Sequence, residues 1–159
     1  MNTNLSKMPD DLTLDEFRGE NFSFKYPTDG HIVEFKPETI RLIYTEDTTK
    51  VRFNVKRWKA DEKSAEEICQ DVFTTMQGHR DDEFEISPEK LEINQHSVWR
   101  CRKRFVDGGT PSLVIDMAFF QSNQDVYHLE FATQPEQYML FYWIFDLLLS
   151  SFSLHDSTQ

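Results

Sequence analysis

The chain has 159 residues, enough for one domain around a single core. Hydrophobic residues make up 38% and charged residues 28%, which excludes a disordered or membrane-embedded composition. A formal net charge of −11 excludes nucleic acid as the default partner, because phosphate backbones attract basic surfaces; it fits a solvated surface or a basic partner.

The opening residues, MNTNLSKMPDDLTLDEF, lack an apolar run, so a cytoplasmic chain is expected, or a mature one whose leader has been removed. Residues 1–20 are expected to be a polar, partly flexible tail, 21–154 a single domain and 155–159 a short second tail. Within the first tail, TLDEF reads as one capped helical turn ended by Gly19. NFSFKYP alternates, with Phe22, Phe24 and Tyr26 on one face, and Pro27 stops that strand before the turn TDG. IVEF and RLIYTED read as short strands either side of Pro37, and VRFNVKRW as a firmer one with Val51, Phe53 and Val55 inward.

SAEEICQDVFTTMQG is a helix. Ser64 and Glu67 have capping-box spacing, Gly78 supplies a left-handed stop, and Ala65, Ile68, Cys69, Val72, Phe73 and Met76 form one apolar stripe. Glu66, Glu67, Gln70 and Asp71 form the solvated face opposite. HRDDEFEISPE reads as a loop. After LEI and a turn over Asn94–Ser97, VWRCRKRFV, SLVIDMAFF and VYHLEFAT read as two consecutive hairpins joined by DGGTP and QSNQD.

Arg100, Arg102 and Arg104 share one strand face. A five-residue turn over Asp107–Pro111 sets Val106 opposite Ser112 and Arg102 opposite Asp116, and a loop of similar size next puts Asp116 opposite Glu130. That register groups Cys101, Met117 and Leu129 on the other face with Trp99, Phe119 and Tyr127, and leaves Lys103 opposite Ile115 as a misfit marking a bulge or strand edge. Acids pairing with the arginines explain the stripe better than a dedicated anion site.

The chemistry-bearing residues do not converge on a reaction. The histidines at 31, 79, 96, 128 and 155 make neither HxxxH nor HExxH, and no GxSxG, phosphate loop or dinucleotide fingerprint occurs. His128 and Glu130 share a strand face, a weak metal signal. Gly108 and Gly109 serve a tight hairpin, and Asp81, Asp82 and Glu83 a solvated connection. No catalytic, cofactor or metal-ligating residue is assigned. Cys69 and Cys101 have no metal spacing and read first as buried thiols, with a disulfide left open.

Thr133, Pro135 and Glu136 make a helix start for a segment running from about Gln134 to Ser150. Tyr138, Phe141, Tyr142, Phe145, Leu148, Leu149 and Phe152 mark one face, and Met139, Leu140, Trp143, Ile144 and Leu147 cover much of the rest. A membrane span needs about 20 apolar residues. This run is shorter and contains Asp146, so the helix is expected to lie between the sheet and another part of its own chain, with a partner-facing edge near Trp143 as the lesser alternative.

Taken in order, NFSFKYPTDG, VRFNVKRW followed by SAEEICQDVF, and the closing FDLLLSSFSL resemble the PsbP-like family, which includes a photosystem II extrinsic subunit, a Ran-binding import factor and bacterial DcrB-like and effector-associated chaperone relatives. Gly30 stands where relatives often carry a tryptophan after the first strand's proline. The resemblance implies an α+β fold, a central antiparallel β-sheet with helices on both faces (an α/β/α sandwich). It also implies non-enzymatic work as a protein-binding or assembly factor, chaperone-like in its narrower form. The expected partner is another protein or a second copy of the chain, met through Arg100, Arg102, Arg104, His128 and Trp143 or the acidic helix face. The alternative is a small-molecule or metal-binding module on the sheet face around His128, Glu130 and Asp116.

Overall fold

The computed structural model describes residues 10–36, 39–43, 51–59, 63–75, 86–107, 109–123 and 125–155. Met76, Gly78, His79, Asp81–Glu83 and Gly108, read above, lie outside them. In chain order the elements are β1 (Leu14–Arg18), β2 (Phe22–Pro27), β3 (His31–Lys36), β4 (Thr39–Ile43), β5 (Val51–Lys59), α1 (Ala65–Thr75), β6 (Ile86–Ile93), β7 (His96–Asp107), β8 (Thr110–Gln121), β9 (Asp125–Thr133), α2 (Pro135–Ser151) and β10 (Ser153–Leu154). Seven strands form an antiparallel sheet in the order β3-β4-β5-β9-β8-β7-β6, and β1-β2-β10 form a three-stranded one.

The α+β sandwich is as expected: α1 lies on one face of the large sheet and α2 on the other. The small sheet packs on the α2 face of the large sheet, with Phe22 of β2 against Tyr127 of β9 and against Phe152, which follows α2. Phe24 of β2, Phe53 of β5, Phe120 of β8, Phe131 of β9 and Phe145 of α2 share one buried cluster. A smaller cluster under α1 joins Ala65, Ile68 and Cys69 to Cys101, Met117, Phe119 and Val126.

Several local readings are corrected. Thr13–Phe17 is not a helical turn. Leu14–Arg18 pairs antiparallel with β2, Phe17 opposite Phe24, and the Gly19 amide donates to the Phe22 carbonyl at 2.8 Å to close the hairpin. Only Phe17 is partly covered in this mostly exposed strand, and its aromatic partner across the hairpin outweighs local capping signals. Ile86–Glu89, read as loop, belongs to β6, and the β6–β7 turn is only Asn94–Gln95, both with positive φ (50° and 68°), as a two-residue hairpin requires.

The β7–β8 hairpin is tighter than read: Val106 pairs with Pro111, not Ser112, and a bulge between Phe105 and Val106 absorbs the difference. Arg102 opposite Asp116, Cys101 opposite Met117 and Lys103 opposite Ile115 therefore stand as expected. Lys103 marks no edge or bulge. It is buried, its Nζ donates to the Phe73 carbonyl in the last turn of α1 at 2.8 Å and lies 4.5 Å over the Phe73 ring. A strand thus supplies the cation that α1 itself lacks at its C-terminus.

The β8–β9 register is off by one residue from the reading. Gln121 pairs with Val126, and Ser122 closes the turn through its amide and hydroxyl, both donating to the Asp125 carbonyl. Asp116 therefore faces Phe131, and Glu130 faces Met117. Because side chains alternate, that single step moves Tyr127 and Leu129 to the α2 side, away from Cys101 and Met117.

Candidate functional site: the α2 edge and its polar anchor

α2 begins at Pro135, whose missing amide and fixed φ suit a first helical position. The cap is Gln134 in an extended conformation with no side-chain cap bond. Thr133, expected to cap, is instead the last, fully buried residue of β9. Along the helix Tyr138, Ile144, Phe145, Leu148 and Leu149 are buried, and Phe152 behind it packs against Phe22, Phe120 and Tyr127. One edge stays in solvent. Met139 is 37% and Leu140 58% exposed, and half-buried Trp143 follows at the spacing that puts it on the same edge.

Beneath the helix a polar cluster fastens it to the sheet. Asp116, with no exposed surface, receives two bonds from Arg100: Nε to Oδ1 and Nη2 to Oδ2, each 3.2 Å. The Tyr138 hydroxyl donates to Asp116 Oδ2 at 2.7 Å, and Arg102 Nη1 donates to the Tyr138 oxygen and lies 3.7 Å from Oδ2. Arg100 Nη2 also donates to the Tyr142 oxygen at 2.6 Å. Each guanidinium lies over the rings it bonds beside: Arg100 5.8 Å from the Tyr142 centroid, Arg102 5.4 Å from that of Tyr138.

Burial and the Asp116 charge together push the Tyr138 hydroxyl well above its ordinary range, which keeps it a donor. Burial opposes the Arg100 charge, but Asp116 and Tyr142 together more than offset it and hold the guanidinium above its usual value.

The structure thus brings Arg100 and Arg102 together with Asp116, under α2 rather than on an open face. Arg104 is next in the same row, opposite Val114 and half-buried. Trp143 lies on the outer edge of α2, and His128 is elsewhere. On the opposite face it is 3% exposed, stacked on Phe119 at 4.3 Å between centroids, with Nε2 3.6 Å from Glu130 Oε1. Burial pushes its pKa down to about 4; Glu130 favours the charged ring and Lys56 opposes it. Asp116 projects from the other side of the sheet, so the His128, Glu130 and Asp116 set is not assembled. Among the described residues no group of three or more His, Cys, Asp or Glu side chains could hold a metal ion.

Sequence reasoning missed Tyr138 and Tyr142 as the arginines' partners. Their signal is the i, i+4 spacing of two hydroxyl-bearing rings on an otherwise apolar helix. No helix among the described residues is long and apolar enough to cross a membrane.

Solved structures define the fold class. Cyanobacterial PsbP (CyanoP) from Synechocystis sp. PCC 6803 superposes with a TM-score of 0.67 at 14% identity, covering 95% of this chain and 99% of that one. LpqN, involved in cell envelope biogenesis of Mycobacterium tuberculosis, gives 0.62 at 8% identity over 92% and 93%. A Bacteroides thetaiotaomicron VPI-5482 protein gives 0.59 at 11% identity over 91% of this chain; the chain spans about half of that protein's length (49%). The molecule has the PsbP-like fold. No protein-family model and no curated protein matches the sequence.

Proposed function

We propose that the chain is a non-enzymatic protein-binding or assembly factor, a chaperone-like adaptor in the narrower form, which receives its partner on the outer edge of α2. The observation that carries this reading is the exposure of Met139 and Leu140 on a helix whose inner face is buried in the main core. Leaving a large apolar side chain wet forgoes about 1.5–3 kcal/mol, and contiguous wet apolar side chains beside polar ones mark interaction surfaces. Trp143 extends the edge, and an aromatic at that place suits an interface anchor.

Arg100 and Arg102 serve in this reading as posts that fix Tyr138 and Tyr142, and through them the angle of the edge. They are not open contacts, because both guanidinium groups are engaged with Asp116 and the tyrosine oxygens beneath α2. His128, on the far face, takes no part.

The test is affinity capture from the native cell by the wild type and by a Met139→Asp, Leu140→Asp double variant of matched thermal stability. A stoichiometric partner held by the first and lost by the second supports the reading. If light scattering shows a wild-type dimer dispersed by the same change, the partner is a second copy of the chain. A wild-type monomer that retains nothing, or a variant that retains as much as the wild type, overturns it.

A further inference from the structure

The chain's two cysteines sit 32 positions apart on different elements, and their sulfurs touch, Sγ to Sγ 3.4 Å. Both are fully buried, Cys69 in the middle of α1 and Cys101 in the middle of β7. The register explains the meeting. Cys101 shares the α1 face of the sheet with Met117 and Phe119, and Cys69 belongs to the stripe Ala65, Ile68, Cys69 that packs on them. As packing alone, two small side chains form a modest contact for a short helix.

We infer that Cys69 and Cys101 are a modification site: a dithiol that closes to a disulfide when the chain folds in the presence of a small disulfide such as oxidised glutathione, locking α1 onto the large sheet. During folding, while the sulfurs are accessible, the thiolate of one cysteine attacks a glutathione disulfide sulfur. That breaks its S–S bond, forms a mixed disulfide and expels one glutathione thiolate. The other cysteine's thiolate then attacks the protein-bound sulfur, forms the Cys69–Cys101 bond and expels the second glutathione. The two protein thiols are oxidised by two electrons, one glutathione disulfide is reduced to two thiols, and the two protons end on those thiols.

The native packing then controls the rate in both directions. The mutual hydrogen bond, followed by burial, keeps the Cys101 sulfur protonated far above its ordinary range, and attack requires a thiolate. Both sulfurs are fully buried, so the folded dithiol oxidises slowly, and the folded disulfide is reduced slowly, until α1 lifts.

The experiment refolds the wild-type chain with either reduced glutathione alone or a mixture rich in oxidised glutathione, followed by unfolding, thiol alkylation and intact mass. A loss of about 2 Da with no alkylated cysteine, only after the oxidising refold, is expected for an intramolecular disulfide. That product should melt roughly 6–12 °C above the reduced protein. Cys69→Ala, Cys101→Ala chains refolded in the same two mixtures should melt at one temperature. Two alkylated cysteines, or a glutathione adduct in place of the internal bond, overturns the inference. So does a disulfide that leaves the melting temperature unchanged, since it would not lock α1.

Discussion

Tyr138 donates its hydroxyl proton to Asp116 across the boundary between α2 and the large sheet, Oη to Oδ2 2.7 Å. The more apolar of the two described helices is thus positioned by a bond from a polar tip to a buried charge. Removing the charge should be the more damaging change. Asp116→Ala leaves two half-buried guanidinium groups without their carboxylate and should cost about 3–5 kcal/mol. Tyr138→Phe removes the bond donated to Asp116 and the one accepted from Arg102, and should cost about 1–3 kcal/mol. Urea unfolding of both variants checks the order, and an Asp116→Ala cost below that of Tyr138→Phe would contradict the anchor.

His128 should govern a loss of stability in mild acid. Its folded pKa of about 4 lies below the ordinary value of 6.5, so the unfolded chain takes up the proton first as pH falls. This contribution is intact above about pH 6.5, is lost between about 6.5 and 4 and changes no further below. The size is roughly 3 kcal/mol. A His128→Leu variant should lose that much less than the wild type between pH 7 and 4 in urea unfolding, and parallel pH profiles would contradict the burial of a neutral ring.

Both ends of α1 are held by side chains. Ser64 and Glu67 form the capping box, with the Ser64 amide donating to Glu67 Oε1 at 3.1 Å and the Glu67 amide to Ser64 Oγ at 3.2 Å. Ser64→Ala should cost about 1 kcal/mol. At the other end, Lys103→Met removes the charged bond to the Phe73 carbonyl and should cost about 1.5–3 kcal/mol. Hydrogen exchange should report both losses first in α1 amides. Equal protection of α1 in all three proteins would contradict these roles.

What the sequence made legible follows its physics. The capping box of α1 and the inward set Val51, Phe53 and Val55 are local or periodic signals, and they read correctly. Arg102 opposite Asp116 was legible because charge and apolar pattern agree on one pairing. The next hairpin failed because Tyr127 to Glu130 offers an apolar or aromatic residue on either face; only the Ser122–Asp125 turn decides, and polar loops of neighbouring lengths look alike. β10 was missed because its partner β2 lies far away in sequence, and β1 because its charged residues around a single inward Phe17 also fit a capped helical turn. Of the α2 edge, Trp143 was visible. That Met139 and Leu140 are the wetter pair depends on how α2 is turned on the sheet.

The most direct test of the proposed role places a photo-crosslinking residue at Leu140, and separately at exposed Asn123 in the β8–β9 turn, in the native cell. A discrete adduct of one partner, or of a second copy of the chain, is predicted from position 140 and none from position 123. No adduct at 140, or the same adducts at both positions, would contradict α2 as the docking edge.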